Sequence, residues 1–184
     1  MNYAVRLAQI ADVPFLADVE RAAAQQFLPY LGWLDISEKL LEGLTTPSFL
    51  LRAQADNRLW VATCGHQVVG FIVIKFLPDI CFIVELDVHP DFGRQGIGSA
   101  LIKACCQSAR ERGFNQIWLT TFRKIPWNIP FYQRLGFEVM SEDSWTWEIK
   151  AIVQHEARYG FAREKRAVMA LRYEEALGSD STGA

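Results

Sequence analysis

Three glycines mark the point where a predicted strand becomes a predicted helix. Gly93, Gly96 and Gly98 stand in the segment VELDVHPDFGRQGIGSALIKACC. Glycine has no Cβ, so main-chain N–H groups can converge there on one anion. The first N–H groups of a helix lack internal acceptors, and the helix dipole adds partial positive charge. The turn therefore predicts a phosphate or pyrophosphate site, with Arg94 as an additional cation.

Other phosphate-binding motifs fit this turn less well. A Rossmann turn needs a third glycine where Leu101 stands, and a Walker A loop needs a closing Gly-Lys-Ser/Thr that the segment lacks. Both nucleotide motifs are therefore disfavoured. A tight glycine turn that binds no ligand stays open on this pattern alone.

Two acids on the preceding strand are the candidates for proton transfer. Leu86 and Val88 alternate to one face of the strand, so Glu85 and Asp87 share the other. Acids in an apolar strand indicate a face that meets water or a cleft, which suits a general base or an amine-binding carboxylate. Glu85 is the preferred base. Alternatively, either acid forms an ion pair with a cation of the sheet: Arg6, Arg52 or Lys75.

The histidines are weaker candidates. His89 precedes Pro90 at the strand end and His66 lies in a hairpin turn, so both are expected to face solvent. His155 and Glu156 lie on a late helix and could reach toward a substrate cleft, although a polar helix surface is the simpler interpretation. The four cysteines form no metal-binding pattern and are expected to be free thiols.

The patterning predicts an α+β fold with one central β-α-β crossover. We expect a mixed, mostly antiparallel sheet of about six to seven strands flanked by helices. The predicted strands are 3–8, 59–64, 67–76, 80–89, 116–121, 137–140 and 165–173. The predicted helices are 12–26, 36–44, 96–112, 129–135 and 147–159. One domain is expected over residues 1–177, followed by a disordered tail over 178–184.

Bulk properties exclude several classes of protein. The 184 residues carry 19 basic and 21 acidic side chains, a net charge of −2, which disfavours a nucleic-acid binder. No apolar run approaches the ~20 residues of a membrane span, and the N-terminus lacks the apolar block of a signal peptide. A cytoplasmic protein without membrane or nucleic-acid partners is therefore expected.

Two motifs at this spacing resemble the GNAT superfamily of N-acetyltransferases. The first is a strand ending in Leu86, Val88 and Pro90, followed by Gly96 and Gly98. The second is PFYQRLGFEV over residues 130–139. The resemblance spans about residues 5–173.

The resemblance implies a fold, a co-substrate and roles for individual residues. Acetyl-CoA is the implied co-substrate, with no metal. Tyr132 falls on the tyrosine that protonates the departing thiolate. The residues implied to hold the cofactor are Leu86, Asp87 and Val88 on the strand, Gly93, Arg94, Gln95, Gly96, Ile97, Gly98 and Ser99 in the turn, and Asn128.

The chain also departs from the family pattern. Gly93 stands where Gln or Arg is usual, so the phosphate contacts should come mainly from the main chain. Ile125 replaces a frequent asparagine, and Asn128 is the nearest substitute. The first two helices and the late strands are implied to shape the acceptor pocket, including the stretch 27–33, Trp145 and Trp147.

Three functions are left open at this point. The leading one is acetylation of a primary amine on a small molecule. The alternatives are acetylation of a protein N-terminus or lysine, and a CoA-binding sensor without catalysis. The tryptophans are equally compatible with a pocket, a core or the contacts of a homodimer.

Overall fold

The computed structural model describes residues 2–41 and 43–173, which form a seven-stranded sheet with helices on both faces. The strands are β1 (Ala4–Leu7), β2 (Leu59–Cys64), β3 (Gln67–Phe76), β4 (Cys81–Val88), β5 (Gln116–Phe122), β6 (Glu138–Val139) and β7 (Arg166–Arg172). The helices are α1 (Val13–Ala24), α2 (Leu31–Leu34), α3 (Glu38–Leu41), α4 (Pro47–Ala55), α5 (Ile97–Glu111), α6 (Asn128–Gln133) and α7 (Trp147–Arg158).

The sheet topology confirms the predicted fold class. The strand order is β1-β2-β3-β4-β5-β7-β6, and every neighbouring pair is antiparallel except β4 and β5. Helix α5 makes the crossover between these two parallel strands. The single domain over 1–177 stays a prediction, and the tail over 178–184 lies outside the described residues.

The region between β1 and β2 differs from the expectation of two helices. Helix α4 was not predicted, although its start has ordinary signals: the Thr46 hydroxyl accepts from the Phe49 N–H, and Pro47 occupies the first helical position. The stretch expected as an apolar turn is a 3-10 helix over Gln25–Tyr30 followed by α2. The helix expected over 36–44 is observed as α3 alone, and residue 42 is outside the described part.

The two faces of the sheet bury different helices. Helix α5 packs on one face through an apolar stripe: Ile97, Leu101, Ile102, Cys105, Cys106 and Ala109. The other face carries α1 and α4 over β2 and β3, and α7 over β5 and β7. Burial of these stripes is the main driving force for the fold. None of the helices that the structure describes is long and apolar enough to span a bilayer.

Strands β4 and β5 separate beyond their first residues, and this opens the centre of the sheet. Their parallel pairing covers Cys81 to Ile83 opposite Ile117 to Leu119. The later residues of β4 pair with β3 alone, from Val73 opposite Glu85 to Gly70 opposite Val88. One edge of β4 therefore faces a cleft instead of a neighbouring strand.

A β-bulge sets which side chains of β4 enter that cleft. The β3 register jumps from Val73 opposite Glu85 to Ile74 opposite Ile83, so Val84 is the extra residue. Val84 packs on the α1 and α7 face, whereas Ile83 and Leu86 pack on the α5 face. The extra residue shifts the alternation and directs Glu85 away from α5.

Candidate active site

The cleft between the separated strands has a volume of about 260 Å³. Glu85, Leu86 and Asp87 of β4 lie along it, as the sequence predicts for the two acids. The remaining walls come from α1, α3, β5, α6, α7 and β7. Seven elements distant in sequence therefore contribute to one site.

The acids of β4 have raised pKa values because they sit deep in this cleft. Burial raises the pKa of Glu85 to about 7; the charge of Glu20 adds to the rise and Arg166 opposes it. Burial also raises the pKa of Asp87 well above its usual range, with the charges of Glu85 and Glu20 acting in the same direction. Neither acid pairs with Arg6, which binds Asp12 instead. Glu85 is therefore poised to exchange a proton near neutral pH.

Glu20 of α1 is a third acid of the cleft, and the sequence analysis did not identify it. Its side chain is only 8% exposed. The Thr45 main-chain N–H donates to Oε1 at 2.9 Å and to Oε2 at 3.1 Å, and the Thr45 hydroxyl donates to Oε1 at 2.9 Å. Burial raises the pKa of Glu20, while the bonds from Thr45 oppose that rise.

A fourth acid, Glu156 of α7, is neutralised by a neighbour. Arg166 Nε donates to Glu156 Oε2 at 2.9 Å, and its Nη2 donates to Glu156 Oε1 at 3.1 Å and to Thr120 Oγ1 at 2.8 Å. The Thr120 hydroxyl also donates to Glu156. Arg166 lies over the ring of Phe122 at 4.7 Å. This bidentate pair fixes α7 against β5 and β7.

Tyr132 of α6 lines the same cleft. Its ring packs edge-to-face on Phe131 and Phe137, with centroid distances of 5.0 and 5.8 Å. Burial raises the pKa of Tyr132 above its usual range, and the charges of Glu85 and Asp87 act in the same direction. The hydroxyl is therefore held in its protonated form. Asn128, one helical turn earlier, also lines the cleft.

The glycine turn lies between the end of β4 and the start of α5. Gly96 is the N-cap and has a φ of +84°, and Arg94, which is exposed, has a φ of +59°. The Ala100 N–H closes the first turn on the carbonyl oxygen of Gly96 at 2.9 Å. The amides before Ala100 are those that a helix leaves without an internal acceptor.

Close packing accounts for a second glycine of the turn. A Cβ on Gly98 would lie 3.2 Å from the Phe131 ring and 3.8 Å from Val88 Cγ2, so the residue joins α5 to α6 and β4. Ile97 is 1% exposed, and its side chain packs in the core. Gln95 and Ser99 are half-buried, and Gly93 has an extended backbone that does not require glycine.

The left-handed glycine at the N-cap gives a test of the turn. Gly96→Ala should weaken binding of CoA about tenfold, because a Cβ at this φ costs about 1–2 kcal/mol and displaces the amides of the first turn. The dissociation constant, measured by calorimetry, checks it. Gly113→Ala is the matched control, because Gly113 has a φ of +86° beyond the other end of α5. Equal weakening in both variants would show that general strain causes the effect.

Several predicted candidates lie away from the cleft. His66 and His155 are exposed, and His155 packs on Tyr159. His89 accepts from the Asp91 N–H outside the cleft lining. Trp145 and Trp147, which were expected to help shape the acceptor pocket, do not line this cleft. Both line a separate surface depression of α7, and Trp147 is 71% exposed.

The outer wall of the cleft comes from the stretch 27–33, as expected, but only through Phe27. Its ring contacts Phe122 at 5.5 Å and Trp127 at 6.0 Å. Trp127 also packs on Tyr30 at 5.3 Å, so it braces the loop before α6. Within residues 2–41 and 43–173, no three His, Cys, Asp or Glu side chains converge as metal ligands would.

Comparison with known proteins identifies the family to which this arrangement belongs. The family model for the acetyltransferase (GNAT) family matches residues 21–137. The chain is 29% identical over 131 residues to the uncharacterized N-acetyltransferase YafP of Escherichia coli strain K12, covering 70% of this chain and 73% of that protein. This chain spans about half the length of several other curated relatives, between 40% and 55% of each.

Solved structures share the fold. The PaiA N-acetyltransferase from Thermoplasma acidophilum, solved in complex with coenzyme A, superposes with a TM-score of 0.73 at 19% identity, covering 94% of this chain and 100% of that chain. The ribosomal-protein-S18-alanine N-acetyltransferase from Escherichia coli gives 0.66 at 17% identity, covering 97% and 98%. With a family model that matches more than half of its length, the chain belongs to the acetyltransferase (GNAT) family.

Proposed function

We propose that the protein is an N-acetyltransferase that moves an acetyl group from acetyl-CoA to a primary amine. The observation that carries the proposal is that Glu85 and Tyr132 line one cleft. One residue is suited to take a proton at neutral pH and the other to give one. Membership of the GNAT family supports the same reaction.

The residues around β4 and α5 fit a CoA thioester. The free edge of β4 at Leu86 to Val88 offers main-chain groups to an extended arm, as a neighbouring strand would. The amides of the turn from Gly93 to Ser99 suit a pyrophosphate at the start of a 15-residue helix. Acetyl-CoA would supply an activated acetyl group at the cleft.

The two side chains divide the proton transfers of the reaction. Glu85 accepts a proton from the attacking amine, directly or through a water molecule, so that nitrogen can form the new C–N bond. As the C–S bond breaks, the Tyr132 hydroxyl gives its proton to the sulfur. Burial raises the pKa of Tyr132, so the hydroxyl is protonated before this step. The tyrosinate left behind regains a proton as Glu85 releases the one it accepted.

We propose a small molecule as the acceptor. A cleft of about 260 Å³ lined by α1, α7 and Gly43 suits a compact amine. Acetylation of a protein N-terminus is a second candidate, because the fold is shared with an enzyme named for the alanine of ribosomal protein S18.

A thiol-release assay tests the proposal. The protein is incubated with acetyl-CoA and a panel of small primary amines, and with peptides that present a free N-terminus or a lysine. We expect at least one small amine to raise thiol release above the hydrolysis measured without acceptor. Turnover with peptides alone would favour a protein substrate. CoA binding without turnover on any acceptor would instead indicate a sensor.

A further inference from the structure

Acidic side chains outnumber basic ones in the lining of the cleft. In the part of the chain that the structure describes, the lining includes four acidic residues and one guanidinium: Glu20, Glu85, Asp87, Glu156 and Arg166. These residues come from α1, β4, α7 and β7, which are distant in sequence. Folding brings them together.

The one cation of this lining is already engaged. Arg166 makes its bidentate contact with Glu156 and donates to Thr120. Arg21, the nearest cation to Glu20 along α1, pairs with Asp18 on the exposed side of the helix. Glu20, Glu85 and Asp87 therefore line one cleft, and no cation of the described lining forms an ion pair or hydrogen bond with them.

The reacting amine compensates for one of these acids only. An amine attacks only in its neutral form, and the proton that it gives up neutralises Glu85. A monoamine therefore leaves Glu20 without a cationic partner. A second ammonium group on the same molecule would stay charged throughout the reaction and would bind Glu20.

Glu20 has the geometry of an anchor for such a group. The Thr45 N–H and hydroxyl hold its carboxylate in place, and Oε2 accepts only the longer of the three contacts, at 3.1 Å. A carboxylate has about four lone-pair sites, so Oε2 keeps the capacity for a further donor. Apolar residues of the same lining, Ala24, Phe27, Leu40 and Leu41, suit methylene groups.

We propose that the acceptor is a small aliphatic amine with a second cationic group, and that Glu20 binds this group while the other amine reacts beside Glu85. This inference rests on the proposed function and names its class of substrate. Glu20 is then a determinant of specificity.

A matched pair of acceptors tests the inference. Diaminobutane, with an amino group at each end, is compared with aminobutanol, in which a neutral hydroxyl replaces one amine. We expect kcat/KM for diaminobutane to be higher by about tenfold or more, mainly through KM, and the advantage to shrink as salt increases.

Substitution of the anchor separates its charge from its shape. Glu20→Gln keeps an oxygen that accepts from Thr45, and should lower the ratio of the two kcat/KM values by about tenfold. Asp18→Asn, an exposed carboxylate on the same helix, is the control and should leave the ratio unchanged. If Glu20→Gln does not fold, the comparison of the two acceptors with the unmodified protein decides alone.

The outcomes distinguish this inference from the proposed function. Equal use of the two acceptors, or turnover confined to other amines, overturns the inference and leaves the N-acetyltransferase intact. A ratio unchanged in folded Glu20→Gln overturns the role of Glu20. Absence of thiol release with every amine overturns the proposed function itself.

Discussion

Replacement of Tyr132 by phenylalanine is expected to lower kcat about 100-fold or more, with little change in the dissociation constant for CoA. The phenyl ring keeps the contacts with Phe131 and Phe137, and only the hydroxyl is lost. Without that proton the sulfur must leave as an unprotonated thiolate, and general acid catalysis typically contributes about 100- to 10,000-fold. Steady-state thiol release measures kcat, and calorimetry measures binding of CoA.

Tyr159→Phe provides the matched control for this substitution. Tyr159 is 63% exposed beyond the end of α7 and lies outside the cleft lining, so its hydroxyl should not affect either quantity. If Tyr132→Phe weakens CoA binding as much as it lowers kcat, the hydroxyl serves binding and not proton transfer. A normal melting temperature in both variants shows that neither loss comes from unfolding.

Much of the fold could be predicted because its signals are local in sequence. The hairpin of β2 and β3 follows from two apolar runs around Gly65-His66, and α5 follows from its apolar stripe and its glycine ends. Helix α4 was missed even though Thr46 and Pro47 give an ordinary start. Its nine residues carry a short, weak apolar stripe with Leu50 and Ala53 as the buried positions.

The two acids on β4 could also be predicted, but their surroundings could not. Alternation with Leu86 and Val88 correctly places Glu85 and Asp87 on a shared face. The bulge at Val84, which turns that face toward the cleft, depends on pairing with β3. No single stretch of sequence contains this information, because the register belongs to two strands at once.

Glu20 also has a signal in the sequence, because it falls within the apolar stripe of α1. The buried positions of α1 are Val13, Leu16, Val19, Glu20 and Ala23. A glutamate within an apolar helical stripe is costly to bury without a partner, which indicates a special site. Its partner Thr45 is 25 positions away, so the contact itself could not be anticipated.

The pH dependence of the reaction tests the role of Glu85. We expect log kcat/KM to rise with pH through a limb with an apparent pKa of about 7, because the carboxylate accepts a proton only after it has lost its own. Below this limb Glu85 is protonated and inactive as a base. Glu85→Gln should remove the limb and lower kcat/KM at neutral pH about 100-fold, leaving the dependence set by deprotonation of the amine in solution.

Neighbouring charges provide the decisive control for that assignment. The negative charge of Glu20 raises the pKa of Glu85, so Glu20→Gln should move the limb to lower pH. Asp87 is the other acid whose titration could cause a limb, since its pKa is also raised. A limb that survives in Glu85→Gln but disappears in Asp87→Asn would assign the base to Asp87. A limb that survives in Asp87→Asn and disappears in Glu85→Gln assigns the base to Glu85. The shift in Glu20→Gln then shows that the titrating acid lies in this cleft, because the charge of Glu20 raises the pKa of both acids.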